Sequence, residues 1–194
     1  LAVLYNEFSR KILADEQQAT FIEDRAGLRG LPPSLVDGLA AAAAERGREG
    51  AWAVQNTRSA VDPFLAYAED RGLREQVWRA FVSRGEAGDT ATAPLIREIL
   101  KLRSERARLL GYKTHAHWTI EREMAKTPEA ALALLRSVWP KAVARAREEI
   151  ADMQRAADEE GARVVIEPWD YRFYAEKVRK ARYDLDMTAV EPYL

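Results

Sequence analysis

The chain contains no cysteine. That excludes disulfides, thiolate nucleophiles and thiolate metal ligands, and it suits a reducing compartment such as the cytoplasm. Histidine is nearly absent: His115 and His117 are the only two. Helical residues share a metal well at i and i+4, whereas a spacing of two sets them about 200° apart around the axis. The pair is expected to be packed or surface histidines, and this chain is expected to bind no metal itself. No H-E-x-x-H occurs, no serine sits in G-x-S-x-G, and no glycine-rich phosphate loop is present. No apolar run approaches the roughly 20 residues of a membrane helix; the stretch Ala40–Ala44 is followed at once by Glu45, Arg46 and Arg48. No signal-peptide pattern is visible. An excess of one charge is missing too. The 30 basic and 31 acidic residues leave a net charge of -1, so no overall field gathers nucleic acid or an anionic membrane. The local run Lys177, Arg179, Lys180 and Arg182 has Glu176, Asp184 and Asp186 around it and reads as a solvated helix face.

What is present is helical. The 194 residues are 47% hydrophobic and 31% charged, enough for one sizeable core. Leu1, Leu4, Tyr5, Phe8 and Ile12 predict an amphipathic helix over residues 1–14. Ala19 to Ile22 is short and fits an extended segment. Pro32-Pro33-Ser34 opens a helix that runs through the alanines to Gly47. Alternation over Ala51 to Thr57 predicts a strand, and Asp62-Pro63 a helix start. Further helices are expected over Leu73–Arg84, Leu95–Leu110 and Thr114–Met124. Thr127-Pro128-Glu129 begins the longest one, with a kink or a split at Pro140. Ala162 to Ile166 is the expected second strand, pairing with Ala51–Thr57. Glu167-Pro168-Trp169-Asp170 leads into a last helix ending near Arg182. No linker divides residues 1–194, which are read as one helical segment.

Few side chains suggest a site. Glu148-Glu149 and Glu159-Glu160 are paired carboxylates on helices with basic neighbours, which is the pattern of solvated faces. Trp78 and Trp139 fit helical core. Asn56 and Arg58, at the end of the expected strand, and Trp169, at a helix entry, are the candidates for contact with a ligand in a cleft.

The order of segments then resembles a known family. Ala51-Trp52 and its strand lead to Val61-Asp62-Pro63-Phe64-Leu65 and Tyr67-Ala68-Glu69-Asp70. Leu73-Arg74-Glu75 follows, then Trp78-Arg79-Ala80-Phe81 and Ala93-Pro94-Leu95-Ile96-Arg97-Glu98-Ile99-Leu100. Leu109-Leu110-Gly111-Tyr112, Thr127-Pro128-Glu129, Glu167-Pro168-Trp169-Asp170 and Arg182-Tyr183-Asp184-Leu185 continue the series, and Leu28 with Gly30-Leu31-Pro32 precedes it. From about Leu28 to Tyr193 the chain is similar to M3-type zinc metallopeptidases, the oligopeptidases and bacterial peptidyl-dipeptidases. The resemblance implies a mainly α, multi-helix segment with at most one small two-stranded sheet, within a larger helical zincin-type peptidase. It implies a parent enzyme that cleaves short peptides, with the peptidyl-dipeptidase branch releasing C-terminal dipeptides. In that family zinc polarises the scissile carbonyl and a glutamate acts as general base. Those residues lie downstream of this segment, so no catalytic or ligand residue carries over. The segment is expected to wall a narrow substrate channel, with Asn56, Arg58 and Trp169 as candidate contacts.

Both ends read as cut, since Leu1 falls inside a helical pattern and Leu194 follows Glu191-Pro192-Tyr193 directly. The expected partners are short peptides and the missing catalytic part, with no nucleic acid and no membrane. Self-association is expected through an apolar patch formed partly by Leu1, Leu4, Tyr5, Phe8 and Ile12 of the first helix and Phe173, Tyr174 and Val178 of the last. The alternative reading is a stand-alone helical interaction module without catalysis.

Overall fold

The computed structural model describes residues 1–183. Asp184, Asp186 and the end of the resemblance up to Tyr193 lie outside the described residues. Among the described residues, eight α-helices and a two-stranded antiparallel sheet make the fold mainly α. The chain forms two compact units. One holds Leu1–Asp15 with Arg84–Arg147, and the other Glu16–Ser83 with the described residues from Glu148 onward.

In the first unit, α1 (Ala2–Glu16) has no fully buried residue. Its polar side chains tie it down: Arg103 Nε donates to Tyr5 Oη at 2.8 Å, and Gly85 N to Asp15 Oδ2 at 2.6 Å. Gly85 has φ +70, and a Cβ there would lie 2.7 Å from Ile12 Cδ1, so the tight approach requires glycine. Pro94 stands in the first turn of α5 (Ala93–Leu109), and Gly111, at φ +80, follows that helix closely. The short α6 (His115–Ile120) is capped by Thr114, whose Oγ1 accepts from His117 N at 3.4 Å. Thr127 Oγ1 accepts from Ala130 N at the start of α7 (Pro128–Glu159). That helix of 32 residues runs through Pro140, so of the kink or split expected there the split does not occur. The proline removes one backbone bond among many, and the helix continues on both sides.

The second unit carries the main core. β1 (Ala19–Ile22) pairs antiparallel with β2 (Trp52–Gln55), Phe21 opposite Ala53 and Ile22 opposite Trp52. α2 (Pro33–Ala44) buries Ala43 with Ala51 and Ala53, so the alanine run lets the helix backbone approach the strand closely. α3 (Arg58–Tyr67), α4 (Arg71–Val82) and the 3₁₀ turn Arg25–Leu28 bring Phe64, Val61, Leu65, Val77 and Leu28 around Ile22 and Val54. Asp70 caps α4 by accepting from Leu73 N at 3.0 Å. Gly30 has φ +82, and a Cβ there would meet Tyr67 O at 2.3 Å.

Three expectations change in this unit. α3 begins at Arg58, with Thr57 preceding it, so Asp62-Pro63 lies inside the helix. Asp62 instead accepts from Arg58 at 3.1 Å and pairs with Arg172 at 3.0 Å. An earlier start places the buried Val61 on the same helix as Phe64 and Leu65, and that burial outweighs the one bond Pro63 cannot make near the first turn.

The sheet partner of Ala51–Thr57 is Ala19–Ile22, and Ala162–Ile166 is not a strand. Its alternation has another cause. Ala162, Val164 and Ile166 pack against Met153, Ala157 and their neighbours while Arg163 and Val165 are exposed. The side-chain amide of Gln154 serves its backbone as a neighbouring strand would: Nε2 donates to Val164 O at 2.7 Å and Oε1 accepts from Ile166 N at 3.0 Å. Gln154→Leu is expected to leave these partly buried groups unsatisfied and to cost about 1–3 kcal/mol. Gln154→Glu keeps the acceptor for Ile166 N but turns a carboxylate oxygen toward Val164 O and Asp158, so at neutral pH it should also destabilise, and urea unfolding of the two variants checks both losses.

Third, Phe173 and Tyr174 of α8 (Tyr171–Tyr183) are not on the surface. Phe173 and Tyr174 are buried with Met153 and Ala157. Leu4, Tyr5, Phe8 and Ile12 of α1 are half-buried. Of the face named for self-association, Phe173 and Tyr174 are therefore turned into their own unit, while the α1 residues keep part of their surface exposed.

Candidate functional site

The strongest cluster of charge in the second unit is centred on Asp170. Its side chain is 0% exposed. Arg71 Nε donates to both carboxylate oxygens at 3.1 Å and Nη2 to Oδ2 at 2.8 Å. Arg74 Nη2 donates to Oδ1 at 2.8 Å, and Glu167 N to Oδ2 at 3.1 Å. Burial alone pushes the carboxyl up, but the hydrogen bonds from Arg71 and Arg74 outweigh it and hold it below its ordinary value. Arg74 is 2% exposed; Nη1 donates to Ala68 O at 2.8 Å and Glu69 O at 3.1 Å, and the guanidinium lies 4.1 Å from the Phe173 ring centroid. The knot fastens the turn before α8 to the start of α4.

Trp169 is held beside it. Its ring meets Trp78 edge-on with centroids 5.7 Å apart, and the guanidinium groups of Arg71 and Arg79 lie 5.5 Å and 5.1 Å from it. The indole is half-buried, and its Nε1 is buried without a hydrogen-bond acceptor. Asn56, at the end of β2, is 6% exposed and donates from Nδ2 to Ala80 O at 3.1 Å. Arg58 is exposed and paired with Asp62 within α3. Asn56 and Trp169 thus both engage α4, while Arg58 is held within α3. The sequence reading missed Asp170, Arg71 and Arg74. The usable signal is Asp170 within Glu167-Pro168-Trp169-Asp170, which marks a helix entry in the sequence but does not name its partners.

A groove of about 390 Å³ also opens in this unit, lined by Gly30, Tyr67, Glu69, Phe173, Lys177 and Lys180 among others. The basic run beside it is mostly paired: Lys177 with Glu160 at 2.6 Å, Arg179 with Glu176, and Arg182 with Asp152. That accounts for a solvated face rather than a cationic patch.

Zinc does not fit the described residues. Among them no group of three or more His, Asp or Glu side chains is placed to hold a metal ion. In the first unit, His115 stacks against Trp118 at 5.6 Å, and burial together with the charges of Arg103 and Arg106 lowers its pKa. Those cations would repel a metal from it. His117 instead makes a 2.7 Å hydrogen bond through Nδ1 with Thr114 Oγ1 and lies 3.6 Å from Glu129.

With this geometry in place, comparison with known proteins defines the class. The model of peptidase family M3 matches residues 64–194, and the chain belongs to that family. It is similar to the dipeptidyl carboxypeptidase of Escherichia coli (35% identity over 99% of this chain and 28% of that protein). It is also similar to the organellar oligopeptidase A of Arabidopsis thaliana (34%, over 100% and 25%) and to the oligopeptidase A of Salmonella typhimurium (30%, over 100% and 29%). The chain therefore spans between a quarter and a third of the length of these relatives. Among the described residues no helix is long and apolar enough to cross a membrane.

Proposed function

We propose that this chain is a segment of a zinc-dependent metallopeptidase of short peptides, a peptidyl-dipeptidase that releases C-terminal dipeptides, and that it forms part of the wall of the substrate channel. One observation supports this most: the end-to-end match of 99% of the chain to 28% of a dipeptidyl carboxypeptidase. The zinc, its ligands and the general base would come from polypeptide outside the matched span, because the described residues do not fit a metal site. When bound there, zinc would polarise the scissile carbonyl and activate a water.

In this reading the chain's own work is shape and orientation. Arg58, exposed and aimed by Asp62, offers a cation to a peptide carboxylate. Trp169, braced by Arg71, Arg79 and Trp78, offers a rigid apolar face. Asn56 holds the end of β2 against α4. The partners are short peptides and the catalytic remainder of the same protein, and the setting is cytoplasmic.

The experiment uses the chain alone and the chain substituted for the matched span of the E. coli dipeptidyl carboxypeptidase. Alone, after dialysis against zinc, it is expected to retain no stoichiometric chelator-resistant metal and to release no dipeptide from an N-blocked peptide. The full-length chimera is expected to release C-terminal dipeptides until a chelator is added. Tight zinc on the isolated chain, or a folded chimera without chelator-sensitive release, would sink the reading.

A further inference from the structure

From Leu132 to Ala142 every residue of α7 is exposed. A surface helix normally buries a stripe against its own domain, and most helical stability comes from that packing. Here the run is apolar as well as bare. Leu134, Leu135 and Trp139 are 67%, 64% and 70% exposed, and Leu132 and Val138 are exposed beside them. At about 100° per residue these five side chains fall within roughly 160° of the helix surface. Single exposed leucines are ordinary, but a contiguous patch that includes a tryptophan marks a contact surface.

We infer that this face of α7 is a docking surface for the part of the family-length polypeptide that lies outside the span matched here. Two observations select that occupant. The stretch lies inside the region matched by the family model, residues 64–194. The relatives that share it are several times longer, since the chain covers 28%, 25% and 29% of them. Each therefore has ample further chain to pack on this helix. The inference rests on the reading of the chain as part of a longer peptidase, and it adds which surface the remainder covers.

The absence of cysteine makes the test direct. Leu135→Cys and Trp139→Cys are placed separately in the isolated chain and in the full-length chimera described above. Thiol labelling is followed by mass spectrometry at each introduced position. In the isolated chain, labelling is expected within about threefold of the urea-unfolded rate; in the chimera it is expected to slow by about tenfold or more. Equal labelling in the two settings would overturn the inference. Slow labelling in the isolated chain would do so as well, because the face would then be covered by the chain itself or by a second copy. The double variant Leu135→Glu/Trp139→Glu gives an independent reading. It is expected to leave the melting and the monomeric scattering of the isolated chain unchanged and to lower the melting temperature of the chimera. Destabilisation of the isolated chain with loss of a dimer would assign the face to a second copy and refute the proposal. Dipeptide release separates the two claims. A protected face without peptidase activity removes the function and keeps the docking surface, and activity with unprotected labelling does the reverse.

Discussion

Replacing Asp170 by alanine is expected to lower the stability of the second unit by about 3–5 kcal/mol, the usual cost of removing one partner of a buried ion pair. The carboxylate is inaccessible, and Arg74, which donates to it, is almost equally so. Without Asp170 the Arg74 guanidinium keeps its bonds to Ala68 O and Glu69 O but loses its counter-charge in a site water does not reach. The double replacement Arg74→Met/Asp170→Leu removes both charges and should recover much of the loss. Urea unfolding of wild type, single and double variants checks this; a single variant within about 1 kcal/mol of wild type would show that the knot is not structural.

The same group gives a pH dependence of known sign. Its folded pKa is below the unfolded value of about 3.9. Near and below that value the unfolded chain binds more protons than the folded one, so this contribution rises with pH. It is complete above the unfolded pKa and is lost as pH falls toward the folded one. The difference in stability between wild type and Asp170→Asn is therefore expected to shrink below about pH 4, which unfolding curves at pH 7 and pH 3.5 would read.

Phe64→Ala is the second large effect, again about 3–5 kcal/mol. Phe64 is 0% exposed and stands among Ile22, Leu28, Val54, Val61 and Val77, which belong to five different elements. Truncation leaves a cavity that β1, β2 and α4 would all have to shift to fill. Phe64→Leu keeps most of the volume and should cost less than half as much. Amide hydrogen exchange over Glu16–Ser83 checks it, with protection falling together across β1, β2, α3 and α4 in the alanine variant.

Helices were legible in the sequence wherever a local signal existed. Pro33, Pro94 and Pro128 stand in the first turns of their helices, and Gly47, Gly111 and Gly161 follow their ends at positive φ. The failures share one cause. Val61 must be buried with Phe64, which moves the start of α3 away from the strong local signal Asp62-Pro63. The alternation of Ala162–Ile166 is real, but period two reports only that one side is covered; it does not say that a second strand exists. The partner there is a glutamine amide on a neighbouring helix turn. The Asp170 knot joins groups 96 and 99 positions apart, and no composition or spacing rule foretells such a pairing. Trp169 was legible as unusual because Pro168 and Asp170 flank it, whereas its bracing by Arg71 and Arg79 depends on that same long-range closure.

The second unit is assembled from two stretches of chain with Arg84–Arg147 between them, and that order imposes a timetable during synthesis. Phe64 and its neighbours within Glu16–Ser83 can collapse as soon as they emerge from the ribosome. Arg71 and Arg74 emerge with them, but Asp170 does not. At about 5–20 residues per second, the intervening segment takes several seconds to translate. Through that interval the Arg74 guanidinium has no carboxylate, and the site it will occupy must stay open to water. Closure of the knot is then a late, long-range step, with the entropy cost of a large loop behind it. A nascent chain stalled before Glu167 should hold its first core yet leave the α4 end that carries Arg71 and Arg74 accessible to protease.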